Sequence, residues 1–162
     1  HQFAKPMSPE QNLAKLGLEL PAPPPEMGVY KMMVQAGCLA YISGHGPWKS
    51  DGTLITGRVG EDLSLEDGQL AARQVGLALL ATLRHRAGSL DRVQRIVKSL
   101  GFVNCTPDFS QQPQVINGFS ELMRDVLGEE RGIGARSAVG TNSLPGNIPV
   151  EIELIVELAD PA

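Results

Sequence analysis

Residues 150–157 read VEIELIVE, and this alternation is the strongest structural signal in the sequence. Aliphatic residues at 150, 152, 154 and 156 alternate with glutamates at 151, 153 and 157 and with an isoleucine at 155. A period of two places the two sets on opposite faces of a β-strand. The stretch therefore predicts a strand over 149–158 with one face in the core and Glu151 and Glu153 on the other face.

Two helical segments precede this strand. Ser64 and Asp67 form a capping-box pattern that predicts a helix over 65–87. Small residues recur along it at helical spacing: Ala71, Val75, Ala78 and Thr82. Such a stripe favours close packing of the helix on a sheet. Pro113 in a first helical turn predicts a second helix, ending at Gly128.

Four further segments have the composition of strands: 30–36, 39–43, 93–105 and 135–142. We interpret Gly101 as a bulge in the third of them. The last two strands of the chain are predicted to form a hairpin, which sets Arg136 opposite Ile155 and roughly 13 Å from Glu151 along the strand. The order β-β-α-β-α-β-β predicts an α+β domain, in which one sheet carries two helices on one face.

The first 27 residues form a separate arm in this interpretation. Ser8-Pro9-Glu10-Gln11 is a capping pattern that predicts a short helix to about residue 16, and five residues, 21–25, then read PAPPP. Such a run imposes an extended connector. Residues 1–6 are interpreted as a tag or processing remnant, and residues 28–162 as the folded domain.

Composition limits the function. The chain has 162 residues, 42% hydrophobic and 20% charged, as expected of one globular domain. Its net charge is −4 and its basic residues are scattered, which argues against nucleic acid as a partner. Cys38 and Cys105 are predicted to be buried, and no metal site is expected from them and three scattered histidines. No apolar run suits a membrane span or a signal peptide, so we expect a cytoplasmic protein.

The last third of the sequence carries a second kind of signal. It contains Ala135-Arg136-Ser137, then Leu144-Pro145, then VEIE at residues 150–153. Earlier positions add, in order, Gly28-Val29-Tyr30, Ile42-Ser43-Gly44, Val103-Asn104-Cys105, Phe109 and Asn117. Together these motifs resemble those of the reactive-intermediate deaminase superfamily, also called Rid, YjgF or L-PSP. The resemblance extends over roughly residues 28–157.

What the resemblance implies is a chorismate-mutase-like homotrimer. The resemblance also implies the reaction of the superfamily, which is hydrolysis of 2-imino or enamine acids to 2-keto acids and ammonia without a metal or an organic cofactor. Arg136 and Glu151 then stand as catalytic residues. Substrate-binding roles fall to Tyr30, Ser43, Gly44, His45, Asn117 and Ala138. The expected partners are further copies of the chain and a small carboxylate substrate.

The residue types fit this chemistry. The planar guanidinium of an arginine matches a substrate carboxylate, which a lysine cannot copy. Glu151 can activate water for attack on C2, and hydroxyl and amide groups can hold that water or the amine. Two other readings stay open. One is a trimer that binds small carboxylates without turnover, and the other is the endoribonuclease or translation-inhibitor activity with which the superfamily is often labelled.

The sequence departs from the family pattern at two site positions. His45 stands where many members have glutamine, and it is either a proton carrier in the pocket or a neutral hydrogen-bonding group beside it. Ala138 stands where many members have cysteine, so no thiol chemistry is expected there. The arm and the segment 46–62 also differ from the compact family form. The chain therefore resembles a divergent branch.

Overall fold

The computed structural model describes residues 5–160, so residues 1–4 of the predicted remnant and residues 161–162 lie outside it. The strands are β1 (Met33–Ala36), β2 (Leu39–His45), β3 (Val93–Asn104), β4 (Ala135–Thr141) and β5 (Val150–Leu158). Within the described range the α-helices are α1 (Pro9–Lys15), α2 (Leu65–Ala87), α3 (Gln112–Leu127) and the single turn α4 (Glu129–Gly132). None of them is long and apolar enough to cross a membrane. The predicted α+β order is confirmed.

The strands form one sheet in the order β1-β2-β5-β3-β4, and only β3 and β4 run parallel. The predicted hairpin of the last two strands is therefore wrong. Arg136 pairs with Ser99 of β3, while Ile155 pairs with Tyr41 and Lys98. The reason is that α3 connects β3 to β4, and a helical crossover returns the chain in the same direction. The strand β5 then lies at the centre of the sheet, where its apolar side is buried.

The core lies between the sheet and the helices α2 and α3. All the inward residues of β5 and the predicted small-residue stripe of α2 are buried. Gly118 lets the helices approach, because a Cβ there would overlap the Gln69 carbonyl group. Gly101 is not a bulge: the irregular pairs of β3 lie between Val93 and Lys98. It makes room for Ile116, whose Cδ1 would lie 2.7 Å from a Cβ at position 101.

The face of the sheet away from the helices stays partly open to solvent. Tyr41 is 46% exposed and Val34 is 50% exposed, and Leu100, Phe102 and Ile155 are half-buried. Glu151, Glu153 and Glu157 share this face, as their alternation predicts. We call it the open face. It combines apolar and ionisable groups.

The two cysteines differ in burial. Cys105 lies in the core, as predicted. Cys38 is exposed, so the prediction of burial is wrong for this residue. It follows Gly37 in the turn between β1 and β2, where Gly37 has a φ of +64° and the chain leaves the sheet.

The arm folds back onto the helices through α1. Its capping box has both expected hydrogen bonds, between Ser8 and Gln11. Leu13 is buried in the core, and Asn12 donates from Nδ2 to the Val126 carbonyl at 2.9 Å. Glu10 lies 3.7 Å from Arg84 of α2. The arm is thus fixed at its start before its proline-rich part crosses to the site.

Candidate active site

Most of the predicted site residues form two separate groups. Arg136 and Asn117 lie together at the β4 edge, on the helix side, and with Ser120 they form what we call the arginine cluster. The second group lies beside the ends of β2 and β5. Its members line one cavity, which we call the glutamate cavity: Tyr30, Ser43, Gly44, His45 and Glu151.

The arginine cluster holds its guanidinium in one orientation. Arg136 Nη1 donates to Asn117 Oδ1 at 2.8 Å and to Ser120 Oγ at 3.0 Å. Within residues 5–160 these are its only side-chain partners, so Nε and Nη2 remain available to a carboxylate. The cluster lines a cavity of about 350 Å³ at the edge of the sheet. Such a geometry suits an oriented carboxylate anchor.

Ser120 was missed by the sequence analysis. It stands three residues after Asn117 on α3, and residues three apart share a helix face. That spacing was a usable signal once Asn117 had been chosen. Ala138 lies on the same side of β4 as Arg136, but it packs against the core. Its small side chain supports the strand and offers no hydrogen-bonding group.

The glutamate cavity has a volume of about 570 Å³, and Glu151 is one of the ionisable groups in its wall. Burial raises the pKa of the half-buried Glu151 carboxyl group above its usual range, and the charge of Glu153 raises it further. A carboxyl group with a raised pKa both accepts and returns a proton nearer neutral pH. Glu151 therefore suits general acid–base catalysis.

Gly44 lets the Glu151 carboxylate lie against the β2 backbone. A Cβ at position 44 would stand 2.5 Å from Glu151 Oε2 and 2.9 Å from its Cδ. Both distances are shorter than van der Waals contact, so any side chain there must push the carboxylate away. The glycine of the Ser43-Gly44 motif is thus required sterically in this structure.

Gly44→Ala is expected to lower kcat for the proposed imine hydrolysis about tenfold or more, because it displaces a positioned carboxylate. Gly28→Ala is the matched control, since a Cβ there meets only Tyr30, at an ordinary 3.5 Å. Thermal unfolding of both variants checks that the fold is kept. Equal kcat for Gly44→Ala and wild type would contradict this role of Gly44.

The hydroxyl groups of the cavity are each partly engaged. Tyr30 Oη accepts from the Met27 amide at 3.1 Å, which leaves its O–H free to donate. Ser43 Oγ donates to the Lys31 carbonyl at 2.6 Å, which leaves its oxygen free to accept. One donor and one acceptor therefore stand near Glu151, as a water molecule or an amine requires.

His45 is buried and both of its ring nitrogens are engaged. Nδ1 lies 2.7 Å from the Ser43 carbonyl, which can only accept, so Nδ1 carries the proton. Nε2 lies 2.7 Å from Thr82 Oγ1 and accepts from that hydroxyl group. Burial lowers the pKa of His45, which keeps the ring neutral. The arrangement favours the neutral hydrogen-bonding alternative over a proton carrier.

His45 links the irregular end of β2 to α2. The β2–β5 pairing shifts register between Ile42 and His45, and the Ser43–His45 contact lies within that shift. Its partner on α2 is Thr82, one of the residues of the predicted small-residue stripe. Sequence reasoning placed Thr82 in the core but had no means to pair it with His45.

His45→Gln is expected to make the free energy of unfolding less dependent on pH. The pKa of His45 is lowered in the folded state. As the pH falls, the unfolded chain therefore binds a proton at this residue before the folded protein does. Its contribution is therefore complete above the unfolded pKa of about 6.5 and is lost as the pH falls through the lower folded pKa. Urea unfolding at pH 8 and pH 5 should show a smaller loss of free energy of unfolding in His45→Gln than in wild type. Equal losses would contradict the prediction.

The two groups cannot meet on one substrate within a single chain. Glu151 pairs with Phe102, whereas Arg136 pairs with Ser99, two strands from β5 and three residues further along. The Cα atoms are thus roughly 14 Å apart, from about 4.8 Å per strand and 3.3 Å per residue. The side chains also point to opposite faces of the sheet. A site that uses both residues needs two copies of the chain.

Within residues 5–160, no three His, Cys, Asp or Glu side chains lie close enough together to hold a metal ion. The two groups offer a guanidinium, carboxyl groups, hydroxyl groups and amides. A single sheet with two helices on one face, carrying these groups, defines a chorismate-mutase-like α+β protein.

Comparison with known proteins agrees with this class. The family described as "YjgF/chorismate mutase-like, putative endoribonuclease" matches residues 10–158. The chain belongs to this family, which includes the Rid proteins. It is similar to Protein TCP17 of Trypanosoma cruzi, with 41% identity over 91% of this chain and 92% of that protein.

Solved structures show the same relation. A protein of unknown function from Agrobacterium tumefaciens is 40% identical over 93% of this chain and 94% of its own, with a TM-score of 0.83. A putative endoribonuclease from Shewanella oneidensis is 29% identical over 94% and 100%, with a TM-score of 0.89. RidA from an Antarctic Psychrobacter is 26% identical over 86% and 94%, with a TM-score of 0.59. The chain shares the family fold but is structurally nearer to the first two proteins than to this RidA.

Proposed function

We propose that this protein hydrolyses 2-imino acids and their enamine tautomers to 2-keto acids and ammonia. The observation that carries the proposal is Glu151, a carboxyl group of raised pKa that lies in a cavity beside a hydroxyl donor and a hydroxyl acceptor. Imine hydrolysis needs one group that takes a proton from water and returns it to nitrogen. Family membership supports the same reaction, because RidA is among the similar structures.

The proposed reaction proceeds in two steps. Water adds to C2 of the protonated imine while the Glu151 carboxylate accepts one of its protons, which gives a carbinolamine. The carboxyl group then returns the proton to the amine nitrogen and the C–N bond breaks. The hydroxyl proton leaves with the ammonia as ammonium, and the carbinolamine becomes the 2-keto acid. The fixed guanidinium of Arg136 holds the substrate carboxylate throughout.

In this proposal the active site lies between two copies of the chain. Arg136 is reached from the β4 edge of the sheet, whereas the glutamate cavity lies beside β2 and β5. The two surfaces differ, so the contact is head-to-tail, and such contacts close into rings. A homotrimer is the smallest ring beyond a pair, and the apolar residues of the open face supply surface for it to bury. The charged groups of this face, where Lys98 and Glu153 line one groove, suit a mixed polar interface.

RNA cleavage is less well supported by the same residues. Glu151 and Glu153 both line the glutamate cavity, and two carboxylates repel a phosphate backbone. The net charge of −4 acts in the same direction. The Shewanella protein is described as a putative endoribonuclease. In this chain the basic residues are scattered along the sequence, which does not favour RNA binding.

The test generates imino acids in place from L-amino acids with an amino-acid oxidase and traps the remainder with semicarbazide. We expect wild-type protein to lower semicarbazone formation and to release keto acid and ammonia faster than buffer. If no imino acid is lost faster than in buffer, while small carboxylates still raise the melting temperature, the protein binds carboxylates without turnover.

A further inference from the structure

The glutamate cavity has mostly apolar walls that come from outside the sheet. The arm contributes Pro24, Pro25 and Met27, and the loop after β2 contributes Trp48 and Leu54. Neither segment carries a group assigned to the reaction. Their side chains line the same cavity as Glu151. A cavity of about 570 Å³ falls within the range of about 300–1,000 Å³ typical of small-molecule sites, and it has room beyond the reacting atoms.

The arm is latched where it forms this wall. Glu26 Oε1 accepts from Arg86 Nη2 of α2 at 2.9 Å and from the Met32 amide at 3.4 Å. The Met27 amide donates to Tyr30 Oη, which fixes the next residue along. Pro24 is buried and its ring restricts the backbone. The wall is thus held in place before a ligand arrives, which lowers the entropy that binding costs.

Trp48 is held from the opposite side of the cavity. Its carbonyl accepts from Gln74 Nε2 of α2 at 2.6 Å, and its backbone pairs with Leu54 across the loop. The loop therefore presents the indole ring on a fixed backbone. Its ring and the Met27 side chain line the same space.

The charges of the cavity define what it can accept. Glu151 and Glu153 line it, and among the described residues no Lys or Arg does. The ring nitrogens of His45 are both engaged, so this residue offers no free donor. Within one copy of the chain a ligand carboxylate finds no cation in this cavity. In the proposed site Arg136 of a second copy binds the carboxylate beside the imine, so an acidic side chain of the substrate meets only Glu151 and Glu153. A neutral apolar group fits both the charge and the walls.

We propose that the arm, latched by Glu26 to Arg86, and Trp48 form a side-chain compartment that determines substrate specificity. This compartment selects 2-imino acids with branched or long apolar side chains over those with a methyl group, and it rejects acidic side chains. The inference rests on the proposed function for the reacting end of the substrate. Met27 and Trp48 are specificity-determining residues, and Glu26 is a positioning residue that acts through the arm.

The test uses binding, so it does not depend on turnover. Trp48 is the single tryptophan of the chain, and its emission reports a ligand in the compartment. The probes are 4-methyl-2-oxopentanoate, pyruvate and 2-oxoglutarate, with N-acetyltryptophanamide as the control for direct quenching. We expect the branched acid to bind at least about tenfold more tightly than pyruvate, and 2-oxoglutarate to bind most weakly. Equal affinities, or tightest binding of 2-oxoglutarate, would overturn the proposal.

Two matched pairs of variants test the arm. Glu26→Ala removes the latch to Arg86, whereas Glu10→Ala removes the arm's ion pair with Arg84 of the same helix, away from the cavity. Met27→Ala removes wall atoms of the cavity, whereas Met7→Ala alters another exposed methionine of the arm that does not line the cavity. We expect Glu26→Ala and Met27→Ala to weaken binding of the branched acid about fivefold and binding of pyruvate less than twofold. The control variants should bind both acids as wild type does. Equal losses for both acids, or equal losses in the controls, would overturn the specificity role.

The outcomes separate the two proposals. If the keto acids bind with affinities in the expected order but no imino acid is hydrolysed, the result would contradict the proposed hydrolysis and support the compartment. Hydrolysis of imino acids at the same kcat/KM for methyl, branched and acidic side chains would support the reaction and overturn the compartment.

Discussion

Arg136→Lys is expected to lower kcat/KM for imine hydrolysis about 100-fold. Lysine cannot bond to Asn117 and Ser120 and still present two parallel donors to a carboxylate. Charge-assisted hydrogen bonds contribute about 1.5–3 kcal/mol each, and about 1.4 kcal/mol is a factor of ten in rate. Steady-state kinetics with the best imino acid measure the change. Because the arginine both binds the substrate and orients it for attack, KM should rise and kcat should fall.

Arg124→Lys is the matched control for this prediction. Arg124 lines the same cavity but pairs with Asp125 at 3.1 Å on the exposed helix surface. Surface ion pairs of this kind contribute little, so we expect kcat/KM within twofold of wild type. If Arg124→Lys were as damaging as Arg136→Lys, the carboxylate anchor would have to be assigned differently.

Glu151→Gln is expected to lower kcat at least about 100-fold with little change in KM. Glutamine keeps the size of the side chain but neither accepts nor returns a proton, and general acid–base catalysis contributes about 10²–10⁴-fold. Its control, Glu157→Gln, lies on the same face of β5 and bonds to Arg95 away from the cavity. Activity of Glu151→Gln close to wild type would exclude Glu151 as the proton carrier.

Glu153→Gln extends this test to the pH profile. The charge of Glu153 contributes to the raised pKa of Glu151, so its removal lowers that pKa while burial still raises it. Activity needs the Glu151 carboxylate, so the acidic limb of the kcat profile should move to lower pH in Glu153→Gln. A limb in the same place would show that another group titrates.

Local signals in the sequence were sufficient for the elements of the fold. The capping box at Ser64 and Asp67 located α2, which runs over the predicted residues 65–87. The alternation in β5 assigned its two faces, because burial of one face requires it. Pairing was predicted less well, because a turn at Pro145-Gly146 is compatible with a hairpin and with a crossover over β3. The helix between β3 and β4 was the signal for parallel pairing.

The candidate site divides in the same way. Motif order in the sequence selected Arg136, Asn117 and Glu151, and alternation placed Glu151 on the face away from the core. No sequence pattern states that Arg136 and Asn117 meet on the helix side. The proline-rich arm was interpreted as a connector, because its role at the cavity depends on contacts with distant residues, such as that of Glu26 with Arg86. Such contacts bring together residues 60 positions apart and leave no periodic signal.

The central claim is that Arg136 of one copy and Glu151 of another complete each site. The most direct measurement mixes Arg136→Lys and Glu151→Gln proteins after unfolding and joint refolding, and compares the activity per subunit with each variant alone. Random assembly of a ring gives wild-type Arg136 beside wild-type Glu151 in about a quarter of the sites, so we expect about a quarter of wild-type activity. If each site lay within one chain, no mixture would contain an intact site, and activity would stay at the level of the separate variants.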